Sequence, residues 1–228
     1  MATGAPLVVA IDGPSGVGKS TVARRLAERL GIPFLDTGAM YRAVGLAVLD
    51  RGIDPQDRAA VERLAQEAGV DLVRRPDGAF EVLLDGAPVE PRIRAPEVGE
   101  VASTVSAHPA VRRRLVGLQR AAAERFGGVL EGRDIATHVV PETPFKFFLD
   151  ADSEVRFRRR HDELAEAGRV VPFEQVVEEI SRRDHRDATR ADSPLTRDPS
   201  YTFVDSSRLS IDQVVDRLAR EIEARRRA

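Results

Sequence analysis

The sequence predicts an α/β fold, a parallel β-sheet covered by helices on both faces. Three observations carry this. A short apolar run, Leu7-Val8-Val9-Ala10-Ile11, is followed by a glycine loop and an amphipathic helix. Strand-like runs then alternate with helical periods along the rest of the chain. And 228 residues with 42% hydrophobic content can bury one full core, with room for a small insert.

Leu7 to Ile11 is apolar throughout and β-branched at Val8, Val9 and Ile11, as suits a strand buried on both sides. Val22, Ala23, Leu26, Ala27 and Leu30 share one face of the helix that follows, and Gly31 stops it. Ile32-Pro33-Phe34-Leu35 reads as a short buried strand ending at Asp36-Thr37-Gly38. Met40, Ala43, Val44, Ala47 and Val48 mark a helix to about Asp50, broken by Gly52 and Pro55. Val61, Leu64, Ala65 and Ala68 mark another. The texture then changes. Val70 to Val73 and Phe80 to Leu84 are strand-like and joined by Arg74-Arg75-Pro76-Asp77-Gly78, a hairpin signal. Ala87-Pro88-Val89 adds a third short strand after the turn Asp85-Gly86. A hairpin is out of place in this alternation, so residues 62–95 read as part of a small inserted subdomain.

Ala95 to Ala107 is expected to be helical. Pro109 suits the first turn of a long helix to about Arg125, with Gly127-Gly128 as its stop. Val129-Leu130 leads through Glu131-Gly132 into the polar loop Arg133-Asp134. Phe145 to Leu149 is the clearest later strand. Ser153 is the expected N-cap of a helix over Glu154 to Ala167, closed by Gly168. Phe173, Val176, Val177 and Ile180 mark the next helix, which carries the charged run Arg182 to Arg190. Tyr201 to Asp205 is the last strand. Ser210 and Gln213 make a capping box for a final helix burying Val214, Val215, Leu218 and Ile222. Its tail, Arg225 to Arg227, reads as a solvated end.

Composition excludes several classes. The net charge of −2 gives no global pull toward nucleic acid or an anionic membrane. There is no cysteine, hence no disulfide framework and no thiolate chemistry. Met1 to Pro6 is too short and polar for a signal peptide, and no apolar run approaches a membrane span, so a cytoplasmic location is expected. No exposed interface stripe is evident, and a monomer is expected. Basic residues are almost all arginine, with lysine only at Lys19 and Lys146.

Lys19 lies in Gly13-Pro14-Ser15-Gly16-Val17-Gly18-Lys19-Ser20-Thr21, which reads G-x-x-x-x-G-K-S between a strand and a helix. That is the context of a phosphate-binding P-loop. Glycines let successive N–H groups turn inward, and the helix N-terminus adds its positive end. Lys19 brings a charge to the β and γ phosphates of a nucleoside triphosphate, and Ser20 offers a hydroxyl to Mg²⁺. Ligands of parallel sheets bind beyond the carboxyl ends of the strands. The P-loop, Asp36-Thr37-Gly38, Arg133-Asp134 and Asp150 should therefore line one cleft. No N-K-x-D guanine-reading motif is present, and a motor ATPase needs a longer chain. Four polar clusters remain: Thr37 to Arg42, Ser103 to Arg112, Arg133-Asp134 and Arg183 to Arg190. Their arginines suit a phosphate acceptor, since a guanidinium grips phosphate oxygens two at a time. Asp134 and Asp187 could accept hydrogen bonds from an amine or hydroxyls.

At these residues the chain resembles the bacterial cytidylate kinases, a branch of the nucleoside monophosphate kinases. The matching segments are Asp36-Thr37-Gly38-Ala39-Met40-Tyr41-Arg42, Gly132-Arg133-Asp134-Ile135 and Arg183-Asp184-His185-Arg186-Asp187. Arg92-Ile93-Arg94 through Ser103, Val111-Arg112, Asp205-Ser206 and Leu209-Ser210-Ile211 follow in order and spacing. The resemblance covers nearly the whole chain. It implies a P-loop kinase fold and transfer of phosphate from ATP, with Mg²⁺, to CMP or dCMP. It also implies site roles. Gly13 to Thr21 with Arg156 and Arg160 would bind ATP, and Ser20 would reach the metal. Lys19, Arg133 and Arg159 would act on the transferring group. Arg42 and Arg133 would hold the acceptor phosphate. Thr37, Arg112, Asp134 and Arg190 would line the cytosine pocket, Ser103, Arg183 and Asp187 would surround the ribose, and Tyr41 would also bind CMP. The implied division is a core of residues 1–36, 110–152 and 191–228, a monophosphate-binding region of 37–109 with the hairpin insert, and a lid of 153–190. Three positions depart from the family pattern: Thr37 where serine is common, Ala136 where glycine is common, and Glu131 in place of an aspartate. Ala136 requires a negative φ at that point.

Other readings stay open at this level. The acceptor could be UMP or a non-nucleotide, although a carboxylate at Asp134 favours the cytosine amine over the uracil carbonyl. A non-catalytic ATP-binding switch would need no acceptor arginines. Arg156 to Arg160 could be a solvated helix face, Arg183 and Asp187 an i,i+4 pair, and Tyr41 core packing. His108, His138, His161 and His185 read as surface or capping residues.

Overall fold

A computed structural model of the chain describes residues 6–75 and 79–227. Met1 to Ala5, and the Pro76-Asp77-Gly78 part of the expected hairpin turn, lie outside the described residues. Strands β1 (Val8–Asp12), β2 (Phe34–Asp36), β6 (Gly128–Gly132), β7 (Lys146–Asp150) and β8 (Thr202–Asp205) form one sheet in the order β2-β6-β1-β7-β8. All its neighbours are parallel. The register places Asp12 opposite Gly132, Asp36 opposite Glu131 and Asp150 opposite Asp205, so the carboxyl ends form one edge.

Alternation along the strands separates the two faces. Val9, Ile11, Phe147 and Leu149 pack against α1 (Lys19–Leu30) and α8 (Ile211–Arg227) through Val22, Leu26, Leu218 and Ile222. Ala10, Leu130 and Phe148 face the other way, toward α5 (Pro109–Phe126) through Ala122 and Ala123. A further core joins α2 (Thr37–Asp50), α3 (Arg58–Glu67) and α4 (Pro96–Val105) to a small antiparallel sheet. That sheet is β3 (Val70–Arg74), β4 (Phe80–Leu84) and β5 (Ala87–Pro88), the hairpin and third strand expected from the change of texture. Helices α6 (Ser153–Glu166) and α7 (Phe173–Thr189) share a small cluster of Leu164, Val176 and Ile180. Among the described residues no helix is long and apolar enough to cross a membrane.

Element ends mostly follow their local signals. Gly31 takes φ 65° and donates its N–H to Ala27 and Glu28. Ser210 and Gln213 exchange side-chain bonds with each other's N–H at 3.2 and 2.9 Å. Four details differ. Helix α2 begins at Thr37, directly after β2, because the Asp36 carboxylate accepts the Ala39 N–H at 2.9 Å and caps it. The N-cap of α6 is Asp152; Ser153 is already helical and its hydroxyl accepts from Arg156 instead. Gly128 is not part of the α5 stop but the first residue of β6; Gly127 alone closes the helix, at φ 63°. Arg225 is not simply solvated, since it donates to Pro144 O and to Thr202 Oγ1 at 2.7 and 2.6 Å. One element carried no sequence signal: a wide helical turn over Ile135–Val139, in which Val140 N–H reaches Ile135 O at 2.8 Å.

Candidate active site

The phosphate loop runs from the end of β1 into α1. Gly13 sits at φ 152°, and a Cβ there would come within 2.1 Å of Leu149 O, so the loop and β7 meet only through glycine. Gly18 occupies the left-handed region at the N-cap of α1. Lys19 is buried and donates to Pro14 O at 2.6 Å. Burial, with the Arg133 guanidinium beside it, pulls its ammonium down to about 7. Ser20 Oγ donates to Glu131 Oε1 at 2.5 Å. Burial raises the Glu131 carboxyl, and the nearby Asp36 raises it further. Ser20 and Glu131 thus present hard oxygen donors side by side, a set that fits magnesium. Among the described residues no cluster of three or more acidic, histidine or cysteine ligands exists.

Facing the loop is a basic cleft. Arg42, one turn into α2, pairs with Asp36 at 2.7 Å. Arg133, just past β6, donates to Asp187 at 2.9 Å and to Ser15 Oγ at 3.0 Å. Arg183 on α7 is drawn down to about 10 by burial and then by the like charges of Arg133 and Arg42. Asp187 does not form the i,i+4 pair with Arg183; it takes Arg133 and, at 3.5 Å, Arg190. Burial raises the Asp187 carboxyl, but Arg133, Arg183 and Arg190 outweigh it and hold it below the usual range.

Deeper in, Asp134 is gripped by Arg112 and lies 3.5 Å from Arg190 Nη2. Arg112 is 2% exposed and rests 5.6 Å from the centre of the Tyr41 ring. Tyr41 also packs into the α2 core, so it joins the core and this pocket. Thr37 Oγ1 donates to Glu131 O at 2.6 Å. Arg42 Nε, Ser103 Oγ, Arg112 Nε and Arg190 Nη2 are buried and have no hydrogen-bond partner in the protein. Polar atoms so placed suit a ligand that brings partners with it.

The three arginines of α6 separate. Arg156 is buried and donates to Ser15 O at 2.9 Å and Asp184 Oδ2 at 2.5 Å. Arg159 donates to Ser206 O at 2.7 Å, in the loop after β8. Arg160 pairs with Glu163 on its own helix. Asp184 accepts the Ser15 N–H at 2.9 Å, so α6 and α7 both close on the P-loop at Ser15. Ala136 lacks a positive φ, as an alanine there requires.

The histidines stay outside this arrangement: His108 meets Pro55 O, His138 meets Thr137, His161 lies edge-on to Phe173, and His185 is exposed. Sequence reasoning missed Asp12, Asp184 and Tyr201, which join the site through contacts spanning more than a hundred residues. A separate cleft of about 700 Å³ lies between α1, β2 and the small sheet, lined by Arg24, Phe34, Phe80 and Arg94. It contains no P-loop residue, although Asp36, the partner of Arg42, lies on its wall.

A parallel sheet with a phosphate loop on its central strand, faced by a half-buried arginine cleft, defines a P-loop phosphotransferase. The chain belongs to the cytidylate kinase family, whose model matches residues 9–224. A cytidylate kinase of Corynebacterium glutamicum is 51% identical over 96% of this chain and 95% of its own length. One from Mycobacterium avium is 50% identical over 94% of each, and one from Pelotomaculum thermopropionicum 46% over 96% and 97%. The crystal structure of an uncharacterized protein from Eubacterium ventriosum has a TM-score of 0.55 at 16% identity, covering 96% of this chain and 98% of that one; the likeness is one of fold alone.

Proposed function

We propose that this chain transfers the γ-phosphoryl group of ATP to CMP or dCMP, giving ADP with CDP or dCDP. One observation carries the reading. Lys19, Arg42, Arg133 and Arg183 arrive from four parts of the fold and crowd one cleft, where burial, and then the Arg133 charge beside each, depresses both Lys19 and Arg183. Phosphate oxygens would relieve that crowding.

In this reading the loop N–H groups from Gly13 to Thr21 and the Lys19 ammonium hold the donor phosphates. A magnesium ion beside Ser20 and Glu131 supplies further positive charge there when bound. Arg42 and Arg133 hold the acceptor phosphate. Its attacking oxygen is already anionic, so no general base is needed, and alignment with charge stabilisation does the catalytic work. Arg133 spans both sides, since it touches Ser15 of the loop and Asp187 of α7. Asp134 accepts from the cytosine amine, with Arg112, Arg190, Thr37 and Tyr41 around the base. Ser103, Arg183 and Asp187 surround the ribose. Arg156 and Arg159 belong to a lid of α6 and α7 that excludes water, and Arg160 joins them by leaving Glu163. Residues 37–109 make the monophosphate-binding region.

The test is coupled ADP release from ATP and Mg²⁺ with CMP, dCMP, UMP, AMP and shikimate as acceptors. Turnover with CMP and dCMP, and UMP slower by about 10²-fold or more, is expected of a site built for the amine. ATP binding with no acceptor-dependent turnover would overturn the proposal.

A further inference from the structure

We infer that Asp12 is a positioning residue for acceptor recognition: it caps the turn after Asp134 from outside and thereby frees the Asp134 side chain to face the acceptor. This rests on the reading of Asp134 given above.

Asp12 is the last residue of β1 and is fully buried. Its Oδ1 accepts the Ile135 N–H at 2.9 Å. Its Oδ2 accepts the Ala136 N–H at 2.9 Å and the Tyr201 hydroxyl at 2.7 Å. No arginine, lysine or histidine among the described residues forms an ion pair with it. Burial pushes its carboxyl from 3.8 up to about 6, and the two amides and the phenol only partly offset this. A buried carboxylate with neutral donors alone is costly, and the phosphate loop does not call for one at this point.

The turn over Ile135–Val139 explains it. Asp134 stands at the N-cap position of that turn, with φ −148° and ψ 25°, yet its side chain caps nothing. An aspartate there ordinarily turns back to accept the N–H of the second or third residue, here Ala136 or Thr137, while the first N–H needs a partner from elsewhere. Here those oxygens are committed to Arg112 and face Arg190. Asp12, from β1, accepts the two orphaned N–H groups in their place. Tyr201 orients the Asp12 carboxylate, its ring fixed edge-on against Phe148 with centroids 5.6 Å apart. Asp12 is bonded directly to Gly13, so the same residue sets Asp134 relative to the donor loop.

The test compares Asp12→Asn, Tyr201→Phe and Asp134→Ala in steady-state kinetics with CMP and UMP, with folding followed by circular dichroism. Asp12→Asn turns an amide NH₂ toward a backbone N–H and breaks half of the clasp. It is expected to raise KM for CMP and to shrink the CMP-to-UMP ratio of kcat/KM by about tenfold or more, with KM for ATP within about twofold. Tyr201→Phe keeps the carboxylate and both amides, and should move the ratio the same way by about threefold. If Asp12→Asn does not fold, Tyr201→Phe decides. Unchanged discrimination in the deciding variant, or equal rises in both KM values, overturns the inference if Asp134→Ala itself erodes discrimination. If Asp134→Ala does not, the reading of the acceptor pocket fails instead.

Discussion

At the residue scale the buried pair of Arg112 and Asp134 joins a proposed recognition role to stability. Neither charge could be left alone at this depth, since breaking a buried pair strands the partner. Arg112→Met should therefore lower the unfolding free energy by about 3 kcal/mol or more, read by urea denaturation. The double variant Arg112→Met with Asp134→Leu should recover most of that loss, because an apolar pair of similar volume is often no less stable. It should not recover preference for CMP over UMP. Recovery of both would mean that the pair is structural only. These residues were legible in the sequence because they sit in short motifs with the family's spacing. Asp12 and Tyr201 were not, because an aspartate before a glycine loop and a tyrosine before a strand are ordinary there. Their contact spans 189 positions and exists only once β1 and the segment before β8 are brought together.

At the element scale, α2 and α4 pack closely at Gly45. A Cβ on it would stand 2.9 Å from Ala102 N and 3.1 Å from Val98 O. Ser103 is the next residue of α4, so the helix contact also sets one wall proposed for the ribose. Gly45→Ala should cost about 1–3 kcal/mol through overpacking, and it should raise KM for CMP and dCMP while leaving KM for ATP nearly unchanged. Thermal unfolding and the two KM values measure this; a shift in KM for ATP of the same size would place the effect elsewhere. Most elements were legible because period and punctuation agreed, as in α5 between Pro109 and Gly127. The start of α6 was misplaced by one residue because Asp152 and Ser153 are both good caps, and the Ser153 hydroxyl turns to Arg156. The turn over Ile135–Val139 was not legible, since its cap comes from another strand.

At the scale of the whole molecule, the aligned carboxyl ends of the sheet bring the phosphate loop and the arginine cleft to one edge. The phosphate loop leaves β1, and Arg133 and Asp134 leave β6 beside it. Helices α2, α4, α5 and α7 bring Arg42, Ser103, Arg112 and Asp187 around them. Alternation of strands and helices made that shared edge predictable. What it could not show is the contact of α6 and α7 with the loop, where Arg156 and Asp184 meet at Ser15. That contact depends on how the two helices pack on the core, which local periodicity does not encode. In the proposed function this edge selects its acceptor by the base, through Asp134. The most direct measurement is the ratio of kcat/KM for CMP to that for UMP, in the wild-type chain and in Asp134→Ala. A ratio of about 10² or more is expected in the wild-type chain, falling by at least about tenfold in the variant. A variant that keeps the wild-type ratio, while remaining folded and binding ATP, would contradict it.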